Sequence, residues 1–421
     1  MAVTVFPTGT TIFNPQKTWS GFTMLTMLGV DANLIDMNGN EVHSWKGRHG
    51  FPNKILPGGN LVSGSGMRNG KHGFQDQTEL VQVDWSGKVV WKFDGLEHIA
   101  DPCETPRWMA RQHHDFQREG NPVGYYVPGM EPKRENGNTL MLVHRNVRNN
   151  DISDKLLLDD AFIEVTWDGK TVWEWNANEH FEELGFSQSA KRALARQPNM
   201  VAVAEGFGDW MHINSMSKLG PNRWFEAGDT RFNPENLIFS SRESNILAII
   251  DKKSGKIVWK TGPNYTLGAL KKLGYIIGPH HVHMIPRGLP GEGNILVFDN
   301  GGWAGYGMPN PSSSNGVKNA WRDYSRILEF DPVSLDIVWQ YTSKEAGFRM
   351  PMYGHRFYSS LVSSAQRLLN GNTLITEGVD GRVFEITREF EIVWEYVNPL
   401  YTREYSNLVY RAYRLPYEWA P

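Results

Sequence analysis

The chain has 421 residues and a formal net charge of −3, so it lacks the basic excess that marks a nucleic-acid-binding protein. No stretch approaches the roughly 20 apolar residues that span a membrane, and the single cysteine, Cys103, excludes an intramolecular disulfide. The 42 glycines and 16 tryptophans favour a turn-rich, all-β chain with a large core.

One pattern recurs six times: an apolar strand, a tight turn that usually contains Asn-Gly, Ser-Gly or Asp-Gly, and a second strand that ends in tryptophan. Each copy predicts a β-hairpin, because such turns join antiparallel strands. The copies lie at residues 33–45, 80–91, 162–173, 246–259, 327–339 and 383–394. Six copies of one unit indicate a propeller or a solenoid.

A second element, Gly-Asn followed by an apolar run, precedes most of these hairpins. It begins at Gly59, Gly137, Gly293 and Gly371, and residues 236–239 are a degenerate copy. Each repeat therefore holds at least three strands, and one further strand before the Gly-Asn turn makes four. Four-stranded sheets repeated around an axis are propeller blades. We predict an all-β, six-bladed β-propeller of four-stranded blades.

The two ends of the chain complete the first blade in this prediction. Residues 21–27 form the strand before the first hairpin, and residues 407–415 supply the innermost strand. Pairing of these N- and C-terminal strands closes the ring and removes an exposed edge. We therefore predict a single domain over residues 1–421, with blades from about 18 to 415.

Long insertions separate some blades, at about 92–135, 174–235 and 299–325, and loops on a rigid scaffold often carry sites. Within the second insertion, residues 187–196 predict a short helix capped by Ser187. Residues 1–10 show no basic region followed by an apolar core, so no secretory leader is visible. Both the cytoplasm and, with a leader removed, the periplasm remain open as compartments.

Most of the 13 histidines concentrate in four stretches that are expected to be innermost strands. The stretches are residues 112–116 with His113 and His114, 209–215 with His212, 280–284 with His280, His281 and His283, and 353–358 with His355. A lone histidine in a strand is usually a structural residue. Innermost strands line a common channel, however, and this predicts a functional cluster suited to acid–base or metal chemistry.

Taken together, these motifs resemble the bacterial arylsulfotransferases of six-bladed propeller fold, over nearly the whole chain. Single pieces are weak signals, but their order and number are specific. The resemblance rests on Gly21-Phe-Thr, Val42-His-Ser-Trp45, His114-Asp-Phe, the run from Asp209 to Ser215, Ser240-Ser-Arg242, and residues 297–301, 370–375, 392–399 and 410–414.

The resemblance implies transfer of a sulfuryl group from a phenolic sulfate ester to a phenolic acceptor through a sulfohistidine, with no cofactor required. It places the nucleophile at His281 and puts His114, His212, Asn214 and Arg242 at sulfate-binding positions. These residue types suit the reaction, because neutral imidazole is a nucleophile and cationic or N–H groups can hold the sulfuryl oxygens. Arg242 can equally form a salt bridge at a blade edge.

The expected ligand is a small aromatic substrate, with no nucleic-acid or membrane partner and an open oligomeric state. Candidates for binding it are Trp210, Trp303, Tyr358 and Arg356. The remaining tryptophans are expected to pack between blades.

Three features depart from the family pattern. The family has Gln-His-Asp around the nucleophile, whereas this chain has His280-His281-Val282-His283. An extra N-terminal β-rich domain of characterised members has no counterpart here. The interval from Asn214 to Arg242 is also longer than usual.

The first departure supports an alternative function. His281 and His283 point to one side of a strand, and with His114 and His212 they would form a site for Zn, Fe or Cu. Water on such an ion is a base or nucleophile, which predicts a metal-dependent lyase, hydrolase or oxygenase. A third alternative is a non-catalytic propeller that binds a protein partner through outer loops, since fold alone does not define function.

Overall fold

The computed structural model describes residues 7–68, 73–100, 105–199 and 207–421. Cys103 lies outside these ranges. None of the helices within them is both long enough and apolar enough to cross a bilayer.

Strands dominate the described ranges, as the repeats predict. The strands of the first half are β1 Gly9–Phe13, β2 Phe22–Met27, β3 Ala32–Ile35, β4 Glu41–Trp45, β5 Lys54–Leu56, β6 Asn60–Arg68, β7 Asp76–Val83, β8 Val89–Phe93, β9 Glu97–Ile99, β10 Arg107–Met109, β11 Gln112–Arg118, β12 Thr139–Val147, β13 Leu157–Val165 and β14 Thr171–Asn176. Those of the second half are β15 Ile213–Lys218, β16 Leu237–Ser241, β17 Ile246–Ile250, β18 Ile257–Thr261, β19 His280–Met284, β20 Ile295–Asp299, β21 Ala304–Tyr306, β22 Val317–Ala320, β23 Arg326–Phe330, β24 Ile337–Tyr341, β25 Ser364–Arg367, β26 Thr373–Glu377, β27 Arg382–Ile386, β28 Ile392–Val397 and β29 Val409–Leu415.

These strands pair into six antiparallel units of four, each ordered from the axis outward. Blade 1 is β29-β2-β3-β4, blade 2 is β5 to β8, blade 3 is β11 to β14, blade 4 is β15 to β18, blade 5 is β19-β20-β23-β24, and blade 6 is β25 to β28. Blades 2 and 3 share one residue pair, Gln112 with Gln77. The protein is therefore an all-β propeller in which the predicted hairpins form the two outer strands of each blade.

The predicted closure of the ring is confirmed. Strand β29 pairs antiparallel with β2, from Phe22 opposite Leu415 to Met27 opposite Val409. Strand β1, which the sequence analysis did not identify, adds a fifth, outermost strand to blade 6 by pairing with β28.

The tryptophans that end the six hairpins join the blades to one another. Each indole N–H donates to a backbone carbonyl in the hairpin turn of the next blade. The six bonds are Trp45 to Asp84 at 3.2 Å, Trp91 to Trp167 at 2.8 Å, Trp173 to Lys252 at 3.0 Å, Trp259 to Pro332 at 2.8 Å, Trp339 to Arg388 at 3.1 Å and Trp394 to Met37 at 2.8 Å. The last bond returns to blade 1, so the series forms a closed circle.

The insertions carry small elements of their own. Helix α1 (Phe181–Leu184) and helix α2 (Gln188–Arg196) lie between blades 3 and 4, and α3 (Arg223–Glu226) follows β15. The predicted cap of α2 is confirmed, since Ser187 Oγ accepts from the Ala190 N–H at 3.2 Å. Strands β21 and β22 form a separate hairpin within blade 5.

A buried ionic group joins three inner strands at the axis. The Asp115 carboxylate accepts from Lys54 Nζ at 2.6 Å and from Arg411 Nη1 at 2.9 Å, which links β11, β5 and β29. Burial opposes ionisation, yet Arg411 and Lys54 hold the pKa of Asp115 below its usual range. Burial also lowers the pKa of Lys54 to about 8. Removing one partner from such a group leaves another buried charge uncompensated.

We expect removal of residues 400–421 to abolish cooperative folding. The truncation takes β29 and Arg411 away, so blade 1 loses its innermost strand and two strand edges are exposed. Unfolding in urea, followed by tryptophan fluorescence, measures this. The matched control removes residues 1–15 and with them the outermost strand β1, and it should keep the cooperative transition. A chain ending at Pro399 that unfolds at the wild-type midpoint would rule this closure out.

Candidate functional site

Three histidines share an unusual backbone conformation where successive inner strands begin. His114, His212 and His281 have φ angles of +54°, +47° and +51°, in the left-handed region that few non-glycine residues adopt. Each lies within two residues of a break in register between its inner strand and the second strand of the blade. Such positions cost about 1–3 kcal/mol each and persist where surrounding structure holds them.

Hydrogen bonds to their carbonyl groups hold all three histidines. The Tyr410 hydroxyl donates to the carbonyl of His114 at 2.9 Å, and the Arg242 N–H donates to that of His212 at 3.1 Å. His283 Nδ1 donates to the carbonyl of His281 at 3.2 Å. The strained backbone is therefore anchored at each of the three positions.

The rings of His114 and His212 meet, with centroids 4.5 Å apart in an edge-to-face arrangement. His212 Nδ1 lies 2.7 Å from Asp209 Oδ2. Because a carboxylate accepts, Nδ1 carries the proton and the lone pair lies on Nε2. His114 Nδ1 lies 2.8 Å from His113 Nδ1. The predicted convergence of His114 with His212 is present.

His281 lies in a second group, beside His283 and two tyrosines. Its ring centroid is 4.8 Å from that of His283, and its Nε2 is 3.5 Å from the Tyr413 hydroxyl. Its Nδ1 has no hydrogen-bond partner. No hydrogen bond or ring contact joins His281 to His114 or His212 in the part of the chain that the structure describes. Their common role therefore remains a prediction.

The β19 histidines are held neutral. Burial, and after it the charge of Arg411, keep the pKa of His281 well below its usual range. Burial and Arg242 do the same for the pKa of His280. Burial lowers the pKa of His283 to about 4. Neutral imidazole at pH 7 is the nucleophilic and metal-binding form.

The two other predicted sulfate-binding residues already have partners within the protein. Asn214 Nδ2 donates to the carbonyl of Pro279 at 2.8 Å, and its Oδ1 accepts from Ser240 Oγ at 2.7 Å. Asn214 thereby positions the segment that leads into β19. Arg242 Nη1 donates to Glu243 Oε1, so the salt bridge left open by the sequence is formed, at 4% exposure of the arginine.

The structure separates the four candidate substrate-binding residues. Trp210 is fully buried, packs on Phe181 and donates to Asp159 Oδ1 at 2.9 Å. Arg356 is exposed. The stretch that contains it was wrongly predicted as an inner strand. Residues Gly354–Arg356 form a 3-10 turn, which the Phe357 N–H closes by donating to the Gly354 carbonyl, and β25 takes the inner position of blade 6.

Trp303 and Tyr358 are linked through Trp321. Trp303 lines a cavity of about 500 Å³ together with Lys318 and Trp321, and Trp321 lies against the Tyr358 hydroxyl. The β21–β22 hairpin contributes Lys318 to its wall and docks on the backbone next to His212 and Arg242. Tyr306 donates to the carbonyl of Trp210 at 2.9 Å, and the Gly305 N–H to that of Glu243 at 2.9 Å.

A larger cavity of about 680 Å³ lies at the opposite ends of the inner strands. Arg118, Glu164 and Lys218 are among its lining residues, and Lys218 is paired with Glu235. Because β11 and β15 begin at the histidines and end at this cavity, it lies away from the cluster.

The four histidines of the alternative metal site do not form a ligand group. His283 uses Nδ1 for the His281 carbonyl and Nε2 for Tyr125, at 2.9 Å from its hydroxyl. Within the described ranges, the group with metal-ligand spacing is His113, His144 and Asp160.

Sequence reasoning missed His144, Asp160, Lys318 and Trp321. The signal for the first two was available, since each is a charged or titratable residue within a buried apolar strand. Lys318 and Trp321 lie in the insertion at 299–325, where no periodic pattern shows which side chains face the blades.

The sequence model of a protein family described as "Arylsulfotransferase (ASST)" matches residues 131–398, more than half of the chain. The match contains His212, Asn214, Arg242 and His281, whereas His114 precedes it and Arg411 follows it. No curated protein matches the sequence.

Solved structures align over most of the chain at low identity. A protein of unknown function from Bacteroides caccae aligns with a TM-score of 0.48 and 10% identity, over 94% of this chain and 99% of its own. Apo AztD from Citrobacter koseri gives 0.38 and 9%, over 97% and 98%. Virginiamycin B lyase from Staphylococcus aureus gives 0.37 and 12%, over 93% and 88%.

We expect acid to destabilise the protein from about pH 6.5 downward. Unfolded histidines titrate near pH 6.5, whereas the folded pKa values of His280, His281 and His283 lie below that. The unfolded state therefore binds more protons below pH 6.5, and the free energy of unfolding falls by up to ~1.4 kcal/mol per pH unit per histidine. Urea unfolding between pH 7.5 and 5.0 measures the slope. His283→Gln should reduce this slope by the contribution of one protonating histidine. An unchanged slope would contradict the lowered pKa of His283.

Proposed function

The chain belongs to the arylsulfotransferase family, and from this premise we propose that it transfers a sulfuryl group from an aryl sulfate ester to a phenol. The observation that carries the proposal is the set of three histidines, His114, His212 and His281, at matching left-handed positions of three successive inner strands. The proposed reaction uses no cofactor.

We assign the nucleophile to His281. Its ring is neutral because its pKa is lowered by burial and by Arg411, and its Nδ1 has no hydrogen-bond partner. In the first step the lone pair of a ring nitrogen forms an N–S bond while the ester S–O bond breaks. The phenolate leaves with the bonding pair, which a stabilised aryl oxygen accepts readily.

His212 is the proposed base for the second step. The bond from its Nδ1 to Asp209 leaves the lone pair on Nε2. That nitrogen takes the proton of the acceptor phenol as the phenol oxygen attacks sulfur. The N–S bond breaks and its electron pair returns to His281. His212 then gives this proton to solvent, which balances the proton that the phenolate released in the first step takes up there.

His114 and Arg242 are the proposed donors to the sulfuryl oxygens. The His114 ring contacts that of His212, and the Arg242 backbone is bonded to the carbonyl of His212. Glu243 occupies Nη1 of the guanidinium, so the remaining N–H groups of Arg242 serve the anion. Fixed donors of this kind stabilise charge that develops in the transition state.

The cavity beside the β21–β22 hairpin is the proposed aryl site. Its volume of about 500 Å³ suits a small aromatic molecule. Trp303 and Trp321 offer ring faces, and Lys318 supplies positive charge near Arg242 and Glu243. These groups match the two parts of an aryl sulfate, an apolar ring and an anion.

We expect His281→Ala to reduce nitrophenol release from p-nitrophenyl sulfate, with phenol as acceptor, to background. The variant lacks the nucleophile. Because His281 is buried against the rings of His283 and Tyr413, the variant should also lose some stability, so turnover is measured under conditions in which its urea transition shows it fully folded. His43→Ala, on the outer strand β4, is the matched control and should keep full turnover.

A single turnover with ³⁵S-labelled donor tests the intermediate directly. Wild-type protein should retain acid-labile label on His281, and His281→Ala should retain none. Label on the variant would transfer the nucleophilic role to another histidine, and full turnover by the variant would refute the assignment.

We expect Trp321→Ala to raise KM for the aryl sulfate by about 3–10-fold with a smaller change in kcat, since an aromatic contact contributes ~0.5–1.5 kcal/mol. Steady-state kinetics measure the split. Trp108→Ala is the control, because Trp108 is 58% exposed, against 53% for Trp321, and lies on the separate hairpin strand β10. An unchanged KM for Trp321→Ala would place the aryl group elsewhere.

A further inference from the structure

We infer that His113, His144 and Asp160 bind a divalent first-row transition metal ion within blade 3. The three side chains come from β11, β12 and β13, three neighbouring strands of one sheet. His144 and Asp160 are directly opposite in the pairing of β12 with β13. This site goes beyond the proposed sulfuryl transfer, whose bond-making and bond-breaking steps do not involve it.

Three buried polar atoms point at one another without hydrogen-bond partners. They are His113 Nε2, His144 Nε2 and Asp160 Oδ1. The side chains are fully buried. Asp160 Oδ1 lies 3.3 Å from His113 Nε2 and 3.8 Å from His144 Nε2, and the three atoms lie within 4.8 Å of one another. Buried polar atoms normally have hydrogen-bond partners, so three such atoms without one at a single point are consistent with a shared ligand.

The opposite atom of each side chain is already bonded, which orients the three free atoms inward. His144 Nδ1 lies 2.6 Å from Asp76 Oδ1, and Asp160 Oδ2 accepts from the Ile213 N–H at 3.0 Å. His113 Nδ1 lies 2.8 Å from His114 Nδ1. A carboxylate behind a histidine is the usual outer support of a metal-bound imidazole.

The buried carboxyl group of Asp160 also favours a cation at this site. In the described part of the chain, the ion-pair partners of Asp160 are the two imidazoles alone. Asp209, with a buried Oδ1 that lacks a partner, is the nearest like charge to act on Asp160. A buried carboxylate whose charged partners are imidazoles alone is costly unless it takes up a proton or coordinates a metal.

The donor set and its spacing fit a transition ion. Two imidazole nitrogens and one carboxylate oxygen suit Zn²⁺ or Fe²⁺ better than Mg²⁺ or Ca²⁺. Bonds of about 2.0–2.1 Å to a tetrahedral ion separate the ligand atoms by ~3.3 Å, which the His113–Asp160 distance matches. The two imidazoles stack at 3.5 Å with planes 11° apart, so binding requires the rings to tilt apart.

An ion here would also set the proton on His114. With His113 Nε2 bound to metal, His113 Nδ1 must carry the proton and donate to His114 Nδ1. His114 then carries its own proton on Nε2 and is a hydrogen-bond donor. The metal is therefore a positioning element for His114.

Metal content tests the site. Protein made without a polyhistidine tag, in zinc-supplemented medium, should hold about one zinc ion per chain by mass spectrometry. His144→Gln and Asp160→Asn should each hold less than about one tenth of an ion. His283→Gln, which alters an equally buried histidine outside the group, should keep the ion. Metal-free wild-type protein, or equal zinc in all four proteins, would overturn the inference.

A second measurement needs no variant to fold. Wild-type protein from cobalt-supplemented medium should show the visible d–d bands of Co²⁺ with nitrogen and oxygen ligands. In zinc-loaded protein with ¹⁵N-labelled histidine, ring spectra should show the proton of His114 on Nε2. Protein without bound cobalt, or a proton on Nδ1 of His114, would refute the corresponding claim.

Discussion

The circle of indole hydrogen bonds is the constraint on which the rest of this propeller depends. Each bond runs from the last strand of one blade to the hairpin turn of the next, and the one from Trp394 to Met37 joins blade 6 to blade 1. A bond of this kind sets the angle between neighbouring sheets at the rim, because it fixes an outer strand against a turn. The inner strands then meet at the axis in a defined order.

At the axis, neighbouring blades are held together by buried ion pairs. Asp115 holds Lys54 and Arg411 from two other blades, and Tyr410, next to Arg411, bonds the carbonyl of His114. The strand that closes the ring thus also supports the strained backbone of His114, one of the three clustered histidines. Stability of the ring and geometry of the site are linked through the residues of β29.

The repeats in the sequence were enough to predict the strands and blades. Contacts that depend on how the strands and blades pack could not be predicted from them. Hairpins with a terminal tryptophan repeat at regular positions, so the blades and the closure by β29 could be derived. His355 failed as an inner-strand residue, because the stretch around it follows Pro351 and forms a turn instead of a strand. Asp160 and His144 are neighbours because of the register between β12 and β13. No motif within either strand shows that these two residues lie opposite each other. The choice among the channel histidines depends on side-chain direction, which a break in register reverses.

The position of β29 has a consequence for the order of synthesis. The innermost strand of blade 1 follows all the other strands of the propeller in chain order, so blades 2 to 6 emerge from the ribosome while Asp115 still lacks Arg411. Until then, the nascent ring is open at blade 1 and the carbonyl of His114 has no contact from Tyr410. The backbone of His114 therefore gains this support only after the β29 segment has been synthesised.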